Sequence, residues 1–240
     1  MRIPLLRFGL GSLLAMMAIP VVVANGGGAG VIDPVADADK LAARPNINQT
    51  PVGTSGKWTM EKLNALTQEE GIALWRTLPA PTLEEMNGHY TGLGPGADDP
   101  AYQKGYADYM FNEKSVRGYW LGKAFHPLTA STGEGYNRWR FPGGRIERNL
   151  RMATSVRPSI IDGKPAYVLD YGAFNKTTLF DELRKLEDGI YIGTATVARP
   201  DGTRSKLDMF ILVGPTDEWV GAPYTLGPTP LKEGTKLPTK

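Results

Sequence analysis

Cysteine is absent from the 240-residue chain, and histidine occurs only twice. The first absence excludes disulfides, thiolate metal sites, cysteine nucleophiles and acylation of a lipoprotein-type cysteine. The second leaves His89 and His126, neither with a pattern of acidic ligands around it, so no metal and no cofactor is expected. No charge of one sign dominates: there are 27 basic and 25 acidic residues. Two of the basic residues are Arg2 and Arg7, so the chain beyond residue 24 carries 27 − 2 = 25 of each sign. Such a balance argues against a nucleic-acid partner. Ser131, Ser155, Ser159 and Ser205 lie in no Gly-x-Ser-x-Gly elbow, and no Gly-Lys-Ser/Thr follows Gly143-Gly144. A hydrolase triad of that type and a phosphate loop are therefore unsupported.

A membrane-length hydrophobic run is also missing. The apolar stretch from Gly9 to Ala24 is about 16 residues, short of the roughly 20 that span a bilayer. Behind Arg2 and Arg7, and ending on Val22-Val23-Ala24, it reads as a signal peptide over 1–24. The alternative is an uncleaved N-terminal anchor. A periplasmic or secreted location is expected, with no stable membrane span after cleavage. Residues 25–57, rich in Gly, Ala, Pro, Asn and Thr, read as a flexible linker.

What the chain does have is aromatic strand signal. Gly88-His89-Tyr90-Thr91-Gly92 and Gly118-Tyr119-Trp120-Leu121-Gly122 each read as a strand opening. A ring faces one side, and glycine stands where another backbone comes close. Before them, residues 59–77 read as helical, with Thr67 and Glu70 at capping-box spacing. Between them, Asp99-Pro100 starts a helix whose Tyr102, Tyr106, Tyr109 and Met110 share a face. That face covers one end of a barrel or roofs a pocket, the first reading being favoured. From Val116 the period becomes two. Strands are predicted at 116–126, 134–141, 145–153, 156–161, 165–172, 190–198 and 204–213, with turns at Pro142-Gly143-Gly144, Asp162-Gly163 and Pro200-Asp201-Gly202. Leu179, Phe180, Leu183 and Leu186 have helical spacing and predict a short inserted helix stopped by Gly189. The expected fold is mainly β: an antiparallel sandwich or barrel, the barrel of seven or eight strands being preferred, over 58–213, with N-terminal helices and an irregular tail at 214–240.

The order of these segments resembles the GXWXG-motif proteins with their C-terminal domain of unknown function. The likeness runs from Gly-His-Tyr-Thr-Gly through Gly118-Tyr119-Trp120-Leu121-Gly122-Lys123-Ala124-Phe125 to Tyr171-Gly172, then Asp181-Glu182-Leu183-Arg184-Lys185-Leu186 and Gly189-Ile190-Tyr191-Ile192-Gly193. It covers roughly residues 80–213, with Tyr90 where the family name has Trp. It implies a small calycin- or lipocalin-like antiparallel barrel and no particular activity.

Alternation on 134–141 sets Tyr136, Arg138 and Arg140 on one face and Asn137, Trp139 and Phe141 on the other. On 145–153, Arg148 shares its face with Ile146, Leu150 and Met152. An inward arginine must be paired or await an anion such as a carboxylate. The alternatives are a stem that snorkels to solvent and a structural pair with Glu134 or Asp170. The expected function is binding of a small hydrophobic or amphipathic molecule, with an acidic group as one option, inside the barrel. Tyr90, Trp120, Lys123, Tyr136, Arg138, Trp139 and Arg148 are the expected contacts. Burying about 300 Å² of such a guest contributes on the order of 7 kcal/mol before entropy losses. Two other readings stand beside it. One is a barrel enzyme acting on a lipid-like or aromatic substrate by acid–base work of His126, Asp170 and Tyr171. The other is an envelope structural or interaction protein with a solid interior. A ring-lined space of several hundred Å³ supports binder or enzyme; a filled one supports the third reading.

Overall fold

A computed structural model describes residues 57–96 and 99–221. The expected signal peptide, the linker up to residue 56 and the tail beyond 221 lie outside the described residues.

Two helices lead in. α1 (Met60–Asn64) is capped by the Thr59 side chain, which accepts from the Lys62 N–H. α2 (Gln68–Trp75) carries the full capping box: Thr67 accepts from the Glu70 N–H, and Glu70 reaches back to the Thr67 N–H at 2.9 Å. Eight strands follow: β1 (Gly88–Leu93), β2 (Tyr119–Pro127), β3 (Gly133–Arg140), β4 (Ile146–Pro158), β5 (Pro165–Asp170), β6 (Leu179–Glu187), β7 (Ile190–Val197) and β8 (Asp208–Asp217). Each pairs antiparallel with the next, and β8 returns to β1, closing the barrel. The third helix, α3 (Pro100–Met110), sits between β1 and β2.

The two glycine-framed motifs interlock. In the β1–β2 ladder, Tyr90 stands opposite Lys123 and Thr91 opposite Gly122. A Cβ on Gly92 would fall 2.4 Å from the Trp120 ring. One on Gly122, where φ is +124°, would fall 2.0 Å from the Tyr90 carbonyl oxygen. Each motif's last glycine thus makes room for the other's aromatic residue.

Strand alternation sorts the apolar residues into two cores. The inner core fills the barrel with Tyr90, Trp120, Phe125, Trp139, Met152, Tyr167, Leu169, Tyr171, Leu183, Tyr191, Phe210 and Leu212. The outer core lies between β5–β8 and the leading helices: Leu63, Trp75, Ala166, Val168, Phe180, Ile190, Ile192, Met209, Ile211 and Val213. That is why residues 209–213 of β8 read as an unbroken apolar run, since both faces of the strand are buried there. Each large side chain so enclosed contributes about 1.5–3 kcal/mol. Arg184, fully buried on the outer face of β6, bolts the two parts together. Its guanidinium donates to both Asp162 oxygens at 2.8 and 2.7 Å and lies 4.0 Å from the centre of the Trp75 ring.

The structure departs from the sequence expectation at three places. Residues 179–187 form strand β6, not a helix. Three of their five charged members are buried with partners: Asp181 inside the barrel, and outside it Glu182, which accepts from the Ile160 N–H and the Ser159 hydroxyl, and Arg184. Tertiary pairing made a strand of a pattern that looks amphipathic at helical spacing. The strands expected at 145–153 and 156–161 are one, β4, bent at a bulge where Leu150 takes φ +52°. The last strand runs on to Asp217, so the expected irregular tail contributes to the barrel.

Candidate functional site

The barrel interior divides into two layers. One is closed by rings in contact: Tyr90 packs on Phe125 and Tyr191, with centroids 5.5 and 5.6 Å apart, and Phe125 packs on Tyr167 at 5.5 Å. The Tyr90 hydroxyl donates to the Glu85 carbonyl at 2.9 Å. Tyr90 is therefore a plug.

The other layer holds a cavity of about 100 Å³. Trp120, Trp139, Leu150, Leu179, Ala195 and Phe210 form its walls, and Tyr102, Tyr106, Tyr109 and Met110 of α3 lie across it. Asp99 starts that helix by accepting from the Ala101 and Tyr102 N–H groups at 2.9 and 3.2 Å. The helix both covers one end of the barrel and roofs the cavity. The space is smaller than the several hundred Å³ expected, because the indoles and the α3 tyrosines already fill much of the layer.

Between the layers runs a polar network on Lys123. Its ammonium, with the side chain 5% exposed, lies 2.9 Å from Asp181 Oδ2. It donates to Asn137 Oδ1 at 2.9 Å and to the Tyr171 hydroxyl at 2.6 Å. That hydroxyl donates to Asp181 Oδ2 at 2.8 Å and accepts from Asn137 Nδ2 at 3.2 Å. Trp120 Nε1 donates to Asn137 Oδ1 at 3.1 Å. The Phe210 ring centre is 4.9 Å from the ammonium. Burial pulls the Lys123 pKa below its ordinary value, against the opposing pull of Asp181. Burial likewise pushes the Tyr171 phenol well up, and the Asp181 charge adds to it.

Two more charged groups line the same cavity. Arg117, half-buried, lies 4.3 Å over the Tyr109 ring and 5.3 Å from the Trp139 ring. Burial lowers its pKa, and among the described residues no carboxylate lies within ion-pair distance of it. Asp208 has its pKa raised to about 6 by burial. Tyr109 Oη, Trp139 Nε1 and Asp181 Oδ1 are buried without a hydrogen-bond partner among the described residues.

Of the residues expected from sequence, Trp120, Lys123 and Trp139 meet at this cavity, and Tyr90 seals the far layer. Tyr136, Arg138 and Arg148 stand on the outer side of the wall. The β4 bulge is the reason for Arg148. It lets Leu150 and Met152 turn inward, while Arg148, opposite Arg138 in the ladder, turns outward. There Arg148 donates to the Val220 and Gly221 carbonyls at 3.0 and 3.1 Å. Tyr136 is covered by Trp219, 4.7 Å between ring centres, and pairs with His89 Nε2 at 2.9 Å. Glu134 pairs with Arg151 and Asp170 with Arg157, so neither is a partner for Arg148. Of the acid–base candidates, Tyr171 reaches the cavity, whereas His126 stacks on Trp219 outside. The sequence reading missed Arg117, Asn137, Asp181 and Asp208. Asn137 alone had a signal, its shared strand face with Trp139.

Among the described residues, no group of three or more His, Asp or Glu side chains is placed to hold a metal ion, and no helix is long and apolar enough to cross a membrane. No family model matches the chain, and no curated protein matches it. Solved structures similar to it include a protein from Thermomonospora curvata, 18% identical, covering 59% of this chain and 83% of that one with a TM-score of 0.40. They also include a bovine odorant-binding protein in complex with undecanal, 13% identical, covering 55% and 74% with a TM-score of 0.31. The described chain is an eight-stranded antiparallel closed barrel whose interior keeps a small, ring-lined space above a buried ion pair.

Proposed function

We propose that the chain is an exported binding protein that holds a small apolar or amphipathic molecule inside its barrel, with residues 1–24 as its signal peptide. The observation that carries this is a cavity walled by rings whose margin includes buried polar atoms without partners among the described residues. Each such atom costs about 1–3 kcal/mol when left unpaired, and a guest of matching chemistry recovers it. A cavity of about 150 Å³ takes benzene. The 100 Å³ here falls short of that, so it suits a short chain, and a ring or a longer guest requires α3 to move. α3 contains no fully buried residue, so it is the element of the roof held least firmly. Membership of the GXWXG-motif proteins belongs to the same proposal and is supported by the interlocked glycine motifs.

The test is native mass spectrometry of protein purified from its own cell envelope, with thermal shifts against small aromatic and aliphatic compounds. A co-purified molecule, or a guest that raises the melting temperature, supports the reading. Absence of both rejects it. One observation favours a second reading, a barrel enzyme. Asp208 lines the cavity and titrates near 6, within the range of a working acid or base. A turnover that Asp208→Asn abolishes while guest binding persists would select that reading.

A further inference from the structure

Resting on the binding reading above, we infer that the guest is a small monocarboxylic acid, its carboxylate held by Arg117 at the α3 side of the cavity. Arg117 is held in place by rings: its guanidinium lies 4.3 Å over Tyr109 and 5.3 Å from Trp139, and all three residues line the cavity. A guanidinium stacked on an aromatic face keeps its planar N–H edge available, and that edge matches a carboxylate. No carboxylate of the described residues occupies it. The two rings beneath it bring further groups without a partner among the described residues, Tyr109 Oη and Trp139 Nε1. An indole N–H can only donate, and a phenol can donate. This corner therefore offers donors to an incoming acceptor.

The charge of the guest follows from the rest of the cavity. The other cation, Lys123, is already matched by Asp181 at 2.9 Å, and Asp208 adds a further carboxyl group to the lining. A dianion such as a phosphate monoester would face one unmatched cation and two carboxyl groups. A monoanion is balanced by Arg117 once the Asp208 carboxyl is protonated, a form that its burial favours. The 100 Å³ space sets the body of the acid at a short chain, or at one small ring if α3 shifts outward.

The experiment titrates the full chain with benzoate and hexanoate against benzamide and hexanamide, followed by calorimetry and tryptophan fluorescence. The acids are expected to bind at least tenfold more tightly than their amides. Arg117→Gln should weaken acid binding at least tenfold and leave the amides unchanged. Arg117→Lys should fall between, because it keeps the charge and loses the fork. Arg148→Gln should change nothing. Thermal melts of each variant confirm that it folds. Equal binding of acids and amides, or acid binding untouched in Arg117→Gln, overturns the carboxylate assignment while leaving the binding reading in place. Failure of every probe, with no co-purified guest, overturns both.

Discussion

Replacing Lys123 with methionine removes the ammonium, keeps much of the stem's volume and leaves Asp181 buried without its cation. Both side chains are nearly inaccessible, at 5% and 3%. Breaking a buried pair from one side costs about 3–5 kcal/mol. The Tyr171 hydroxyl and Asn137 Oδ1 also lose a donor each, which keeps the loss at the upper end. At about 2–4 °C per kcal/mol for a domain of this size, the melting temperature should fall by roughly 6–20 °C. The companion is Lys123→Met with Asp181→Leu, which removes both charges. Because desolvation of such a pair offsets much of its attraction, the double variant should recover most of the loss, to within about 2 kcal/mol of the parent. The pH dependence has a fixed sign. The folded ammonium has a lowered pKa, so the unfolded chain binds more protons below 10.5. The parent therefore gains stability as pH rises through the window between the folded value and 10.5, and Lys123→Met should lose that slope. Urea unfolding monitored by tryptophan fluorescence compares the parent with Lys123→Met, Asp181→Leu and the double variant. A single variant losing under about 1 kcal/mol, or a double variant as unstable as the sum of the singles, would refute the reasoning.

Further outcomes can be checked on the same chain. Gly122→Ala meets the Tyr90 carbonyl in a backbone conformation that side chains resist, so it should yield little folded protein, scored by soluble yield and near-ultraviolet circular dichroism. Asp208→Asn should raise the melting temperature above pH 6. The gain should fade as pH falls and vanish below about 4, where the parent carboxyl is protonated in both states. Thr67→Ala should cost about 1 kcal/mol in urea unfolding by removing the cap of α2. Asp162→Asn should cost on the order of 3 kcal/mol, since it leaves the fully buried Arg184 without its carboxylate. In the parent that contribution is present above pH 4 and fades as pH falls toward 2.

The barrel was legible because period-two alternation and glycine-bearing turns are local signals, and β1 to β3, β5 and β7 follow them closely. The α2 capping box and the Asp99-Pro100 helix start were legible for the same reason. β6 was not. Its charges are neutralised by Lys123 and Asp162, residues far along the chain, so nothing nearby marks them as buried. The facing of Arg148 was lost to a single bulge: one residue at φ +52° reverses the sides of everything before it. The candidate site was only half readable. Trp120 and Trp139 follow from strand patterning, whereas Arg117 and Asp208 stand at the edges of strands, where alternation carries no information about what lies inside.

The cylinder is sealed by its first and last strands. Thr216 Oγ1 donates to the His89 carbonyl at 3.2 Å across 127 positions, and the β8–β1 ladder lies alongside. Ring closure must therefore wait until nearly every described residue has left the ribosome or a translocation pore. A polypeptide ending before residue 208 would offer two raw edges to its neighbours and no compartment to hold anything. Fragments of this protein should consequently be found as aggregates or degradation products rather than as smaller working containers.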